Sequence, residues 1–207
     1  MSFVESFSIG EPDDDAEAPE ERVRPPWHGP PEDELGVAVP QGLVIARSER
    51  GVVALSHMVV YSTGVSFQFV AQARGLSHNA AQRLFHEQHM FDDELPDGLL
   101  RVGLELPDGA RVSNLGGRRA RRAFMGQEEP DSPVLVPHAG GGGMSHSDRV
   151  SMLPAYWLWP LPQPGTLNIS CEWPTVEIPL TTIEIDTGPI VAAAAESTTL
   201  WPSSPAG

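Results

Sequence analysis

The run YWLWPLPQPGTLNISCEWP, residues 156–174, decides the fold. Its middle, Pro160 to Gly165, holds Pro160, Pro162, Pro164 and a glycine. That composition forbids a helix and gives a stiff turn. Before the turn stands the aromatic-rich segment Arg149–Trp159, read as a strand. After it Leu167, Ile169, Cys171 and Trp173 alternate with Thr166, Asn168, Ser170 and Glu172. A period of two with one apolar phase belongs to a strand with one buried and one wet face. Cys171 lies on the apolar phase, so it reads as a small core residue and not as a nucleophile.

The same period extends outward in both directions. Gly42–Ser48 reads as a first strand, and Val52–Tyr61, apolar on both phases, as a central strand covered on both faces. Ser62-Thr63-Gly64 turns the chain into Val65, Phe67, Phe69 and Ala71, which alternate with polar residues. Leu100, Val102, Leu104 and Leu106 repeat the pattern, and Pro107-Asp108-Gly109 closes a hairpin onto Ala110–Leu115. Beyond Pro174, Val176, Ile178 and Leu180 share one phase while Ile183 and Ile185 share the other, which predicts a bulge near Pro179–Thr182. Two short helices are expected, one over Ser77–Met90 capped by Ser77, the other over Pro189–Glu196. The fold class that follows is mainly β: an antiparallel β-sandwich of about seven or eight strands with one or two short helices.

Charge divides the chain. It has 207 residues, 28 of them acidic and 13 basic, for a net charge of −15. All 13 basic residues are arginine. Residues 1–35 carry net −9 of that total, which leaves −6 for the other 172. Proline-rich and acidic, residues 1–35 read as a disordered tail that buries too little apolar surface to offset its ordering entropy. The competing reading is an acidic interaction tail whose Trp27-His28 pair docks on a basic partner. Residues 36–202 form the expected domain, and 203–207 an expected disordered C-terminal end. Met1–Gly10 lacks the cationic start and apolar block of a signal peptide, and no stretch is apolar enough to span a membrane, so a cytoplasmic protein is expected. The acidic balance disfavours nucleic acid as a partner.

Several clusters bear on chemistry. Arg118, Arg119, Arg121 and Arg122 form the densest cationic run and are the candidate partner-binding residues, reaching an anionic partner or the acidic tail. His86 and His89, at i and i+3, read as the polar face of a surface helix. His138, His146 and Asp148 straddle Gly140–Gly143 and are the alternative metal ligands; no cupin H-x-H pattern accompanies them. The glycine run lacks the strand, helix and lysine of a phosphate cradle and reads as a loop between strands. Trp157, Trp159 and Trp173 fit a core better than a sugar-stacking platform. No catalytic arrangement, such as a G-x-S-x-G elbow, is present, and no cofactor is implied.

Three segments, LRVGLELPDGARVSNLGG (100–117), PVLVPHAGGGG (133–143) and the opening run, resemble a group of actinobacterial proteins. There a W-x-W-P-L-P-x-P-G turn is followed by E-W-P and a terminal Leu-Trp-Pro, here Glu172-Trp173-Pro174 and Leu200-Trp201-Pro202. No activity attaches to that group, so the resemblance implies a shared fold and carries no site. The functional expectation is a non-enzymatic interaction or accessory module with a protein partner. Its alternative is a metal- or carbohydrate-binding protein or enzyme that uses the Gly140–Asp148 loop and nearby tryptophans.

Overall fold

The computed structural model describes residues 24–87, 96–115, 129–138, 142–146 and 148–201. Thirteen strands form among them, more than the seven or eight expected because several are short. All pair antiparallel. The large sheet runs in the order β2 (Val37–Arg47), β3 (Gly51–Val60), β4 (Val65–Ala73), β10 (Ala155–Trp159), β7 (Val134–Pro137). At its far end β4 also pairs with β9 (Arg149–Leu153), which pairs with β8 (Gly142–His146). The second sheet has the order β12 (Ile178–Asp186), β11 (Thr166–Trp173), β5 (Arg101–Glu105), β6 (Arg111–Ser113). A two-stranded ribbon joins β1 (Glu34–Leu35) to β13 (Thr198–Thr199).

One apolar cluster joins the two larger sheets. Val53, Leu55, Phe67 and Phe69 from the large sheet share it with Val102, Leu104, Leu167, Ile169 and Trp173 from the second, all nearly inaccessible. That shared interior is what the alternating sequence demanded, since each sheet offers one apolar face. Asn114 ties the layers where polar atoms enter the core. Its Oδ1 accepts from Val102 N, and its Nδ2 donates to Leu100 O and to Tyr156 Oη. Tyr156 is so enclosed that burial pushes its phenol up to about 12.

Local departures from the period have physical causes. β3 buries Gly51, Val53 and Leu55, then Met58 and Val60, with a register shift between Leu55 and His57. Its two apolar phases therefore reflect a bulge, and not a strand fully covered on both faces. Arg149–Trp159, expected as one strand, breaks at Pro154, which has no N–H to give a ladder; its carbonyl accepts from Phe69 N instead. The halves, β9 and β10, pair with successive parts of β4. The bulge expected near Pro179–Thr182 appears as a register shift between Cys171 and Trp173 on the facing strand, and Leu180 is turned out.

Helix α1 (His78–Glu87) starts where Ser77 Oγ accepts from Ala80 N, and helix α2 (Gly188–Ala194) begins beside Asp186, whose carboxylate accepts from Gly188 N. Residues 88–90 of the first expected helix lie outside the described residues.

The N-terminal side corrects the expected boundary at residue 35. Pro26–His28 form a 3-10 turn whose Trp27 is 7% exposed, packed with Trp157, Val134 and Val136 on the outer face of the large sheet. Trp157 Nε1 donates to Pro26 O, while Trp27 Nε1 is buried with no acceptor among the described residues. Glu34 accepts from Ser62 N and Oγ, and Leu200 N donates to Asp33 O. Residues 24–35 are thus part of the packed body: the burial of Trp27, the hydrogen bonds of Asp33 and Glu34 and the β1–β13 pairing act together against the ordering entropy. Residues 1–23 and 202–207 lie outside the described residues.

Candidate functional site

Side chains on the outer face of the large sheet line up across five strands. Arg47 of β2 faces Val52 of β3, Val52 faces Gln72 of β4, Gln72 faces Ser151 of β9, and Ser151 faces Met144 of β8. Four inter-strand spacings make the row about 19 Å long. It floors a groove of about 640 Å³. Three more arginines border it: Arg50 in the turn between β2 and β3, Arg74 just after β4, and Arg149 at the start of β9. No Asp or Glu lines the groove among the described residues.

The backbone around these cations is firmly held. Ser48 Oγ accepts from Arg50 N and Gly51 N and donates to Val176 O at 2.5 Å, which pins the β2–β3 turn to the 3-10 turn Pro174–Val176 that joins β11 to β12. Gly51 is required there, because a Cβ would lie 2.5 Å from Val176 Cγ2. Arg74 donates from its backbone N to Arg50 O and from Nε to Glu49 O. The guanidinium groups are far less committed. Arg50 is 3.9 Å from Glu177 and Arg149 is 4.0 Å from Asp148, both exposed pairs worth little. Arg47 makes no ion pair with a described residue.

An anchored turn carrying loosely engaged guanidinium forks suits carboxylates or phosphates, which arginine grips bidentately. Between the polar Arg47, Gln72 and Ser151 the floor offers two apolar side chains, Val52 and the exposed Met144. An extended acidic chain fits such a row: about six residues at 3.3 Å each cover its length.

The residues expected from sequence fall elsewhere. Arg118, Arg119, Arg121 and Arg122 lie outside the described residues, as do His89, Gly140 and Gly141, and nothing is described of the His86 side chain. Gly142 and Gly143 open strand β8, so this part of the expected Gly140–Asp148 loop is one arm of a hairpin. His138 follows β7 with its N–H on Ala155 O, whereas His146 is paired with Arg149. Those positions are six residues apart along the facing chain, about 20 Å at a strand's rise. The backbone therefore does not bring His138 to His146 and Asp148, and no group of three His, Cys, Asp or Glu able to hold a metal occurs among the described residues. Burial, and secondarily Arg24, lowers the His138 pKa below its usual value. Trp157 and Trp173 are fully buried, the latter donating from Nε1 to Gly98 O, so neither offers a sugar platform. Burial of Cys171 raises its thiol to about 11, unsuited to nucleophilic work.

The groove arginines escaped the sequence reading because they are single residues spread from position 47 to position 149. The one signal available was that each stands at a strand end next to a turn; only the strand register reveals that those ends meet. No helix among the described residues is long and apolar enough to cross a membrane. No protein-family model, curated protein or solved structure matches the chain.

Proposed function

We propose that the protein is a non-enzymatic interaction module that binds an extended acidic segment of a protein partner in the groove over Arg47, Val52, Gln72, Ser151 and Met144, in a cytoplasmic setting. The observation that carries this reading is the meeting of four arginines around one row of outward side chains, in a chain whose charge is otherwise negative. A peptide is favoured over nucleic acid on two grounds. The net charge of −15 repels a long polyanion beyond the groove, and no aromatic ring lines the groove for bases to stack on.

The test is a fluorescence-anisotropy titration with labelled hexaglutamate and with an oligothymidylate of matched charge, at low ionic strength. Saturable binding of the peptide is expected, weakening with salt and lost in the Arg47→Glu, Arg74→Glu double variant. Binding unchanged by that double variant, or an oligonucleotide bound more tightly than the peptide, refutes the reading.

A further inference from the structure

We infer that the groove is occupied in cis by the acidic segment Glu11–Glu21 of the same chain, which competes there with an external acidic partner. This rests on the groove reading above and adds its first occupant. Three observations support it.

The charges match. Glu11–Glu21 (EPDDDAEAPEE) carries seven carboxylates and no cation, and its core Asp13–Glu17 spans about 17 Å when extended, close to the length of the arginine row.

The route starts on the correct side. Trp27 packs against Trp157, which sits opposite Ser66 of β4 on the outer face of the large sheet, the face that carries the groove. The Arg24 guanidinium, which donates to His28 O, also acts on His138, whose N–H reaches Ala155, the residue opposite Gln68.

The reach suffices. From Gln68 to Gln72 is about 13 Å along the strand, and from β7 to β4 is two strand spacings, about 10 Å, which gives about 16 Å in all. Residues 18–23 span about 20 Å when extended. Asp13–Glu17 therefore reach the groove with the Trp27 anchor in place.

A tether this short supplies an effective concentration on the order of millimolar. Against an exposed, salt-screened contact of modest affinity, such an internal competitor weakens any external acidic ligand by about tenfold or more. The probe is a labelled peptide with the sequence of residues 11–21, titrated into the full chain and into a full-length variant with Asp13→Asn, Asp14→Asn, Asp15→Asn and Glu17→Gln.

The expected result is binding at least about tenfold tighter to the neutralised variant. That binding should be lost when Arg47→Glu and Arg74→Glu are added; Arg47→Gln with Arg74→Gln replaces the reversal if the latter unfolds by circular dichroism. Equal binding to both chains, still lost with the arginine changes, overturns the cis occupancy and leaves the groove reading standing. Peptide binding that is absent from both chains, or indifferent to the arginine changes, overturns both.

Discussion

Two tryptophans of the outer-face cluster, Trp27 and Trp157, invite the same substitution with different outcomes. Both are almost fully buried and each touches the same small aromatic group. Trp157 Nε1 donates to Pro26 O at 2.9 Å, whereas Trp27 Nε1 is enclosed without an acceptor among the described residues. Replacement by phenylalanine removes a similar apolar area at either site, so the packing losses largely cancel in the comparison. The polar contributions have opposite signs. Trp157→Phe forfeits a hydrogen bond worth about 0.5–1.5 kcal/mol net, while Trp27→Phe removes a buried, unpaired donor whose enclosure costs about 1–3 kcal/mol. Trp157→Phe is therefore expected to be the more destabilising by about 1.5–4.5 kcal/mol. The Trp157 ring is also fixed in place, since a Cβ on Gly64 would lie 2.6 Å from its Cζ2, so the indole has no room to find another partner. Urea unfolding followed by far-UV circular dichroism measures the difference without relying on the altered fluorescence. Equal losses, or a greater loss at position 27, would refute the hydrogen-bond argument.

Other outcomes are open to similarly direct checks. Trp173→Ala, a fully buried truncation that also breaks the bond to Gly98, should cost about 3–5 kcal/mol in a urea or thermal melt; a shift under about 1 kcal/mol would contradict its core position. His138 binds its proton more weakly folded than unfolded, because burial and then Arg24 lower its pKa. Its contribution to stability is thus complete above the unfolded value of 6.5 and is lost as the pH falls through the lowered folded value. His138→Gln should flatten this part of the acid limb of stability against pH, and an unchanged limb would count against it. Cys171 should resist a thiol reagent in the native protein at neutral pH and react fully in denaturant; rapid native labelling would contradict its burial.

Much of the fold could be read from residue order because strands advertise themselves through their period. The Pro107-Asp108-Gly109 hairpin, the stiff turn after Trp159 and the phase change beyond Pro179 all appear where local chemistry requires them. The misreadings arose where single residues departed from their surroundings. Trp27 sits within a stretch whose average composition opposes folding, yet it is buried against Val134, Val136 and Trp157, and Glu34 and Leu35 pair with β13. Pro154 divides a strand that its aromatic neighbours made look continuous. The groove was illegible for another reason. Arg47, Arg74 and Arg149 meet only because β4 aligns with β3 on one side and with β9 on the other, and register between distant strands leaves no local trace.

The contacts of the N-terminal arm with late segments also order the events of synthesis. Residues 24–35 are made early, but their anchor, the bond from Trp157 to Pro26, spans 131 positions, and β1 must wait for Thr198 and Thr199. Contacts of such separation form late, after the loop between them has been closed at an entropic cost. On the ribosome, the N-terminal arm therefore stays undocked until nearly the whole chain has emerged, and its carboxylates are free to repel other nascent chains during that interval. Arrested chains ending before residue 155 should show Trp27 accessible to quencher; a shielded indole in those chains would rule out this order.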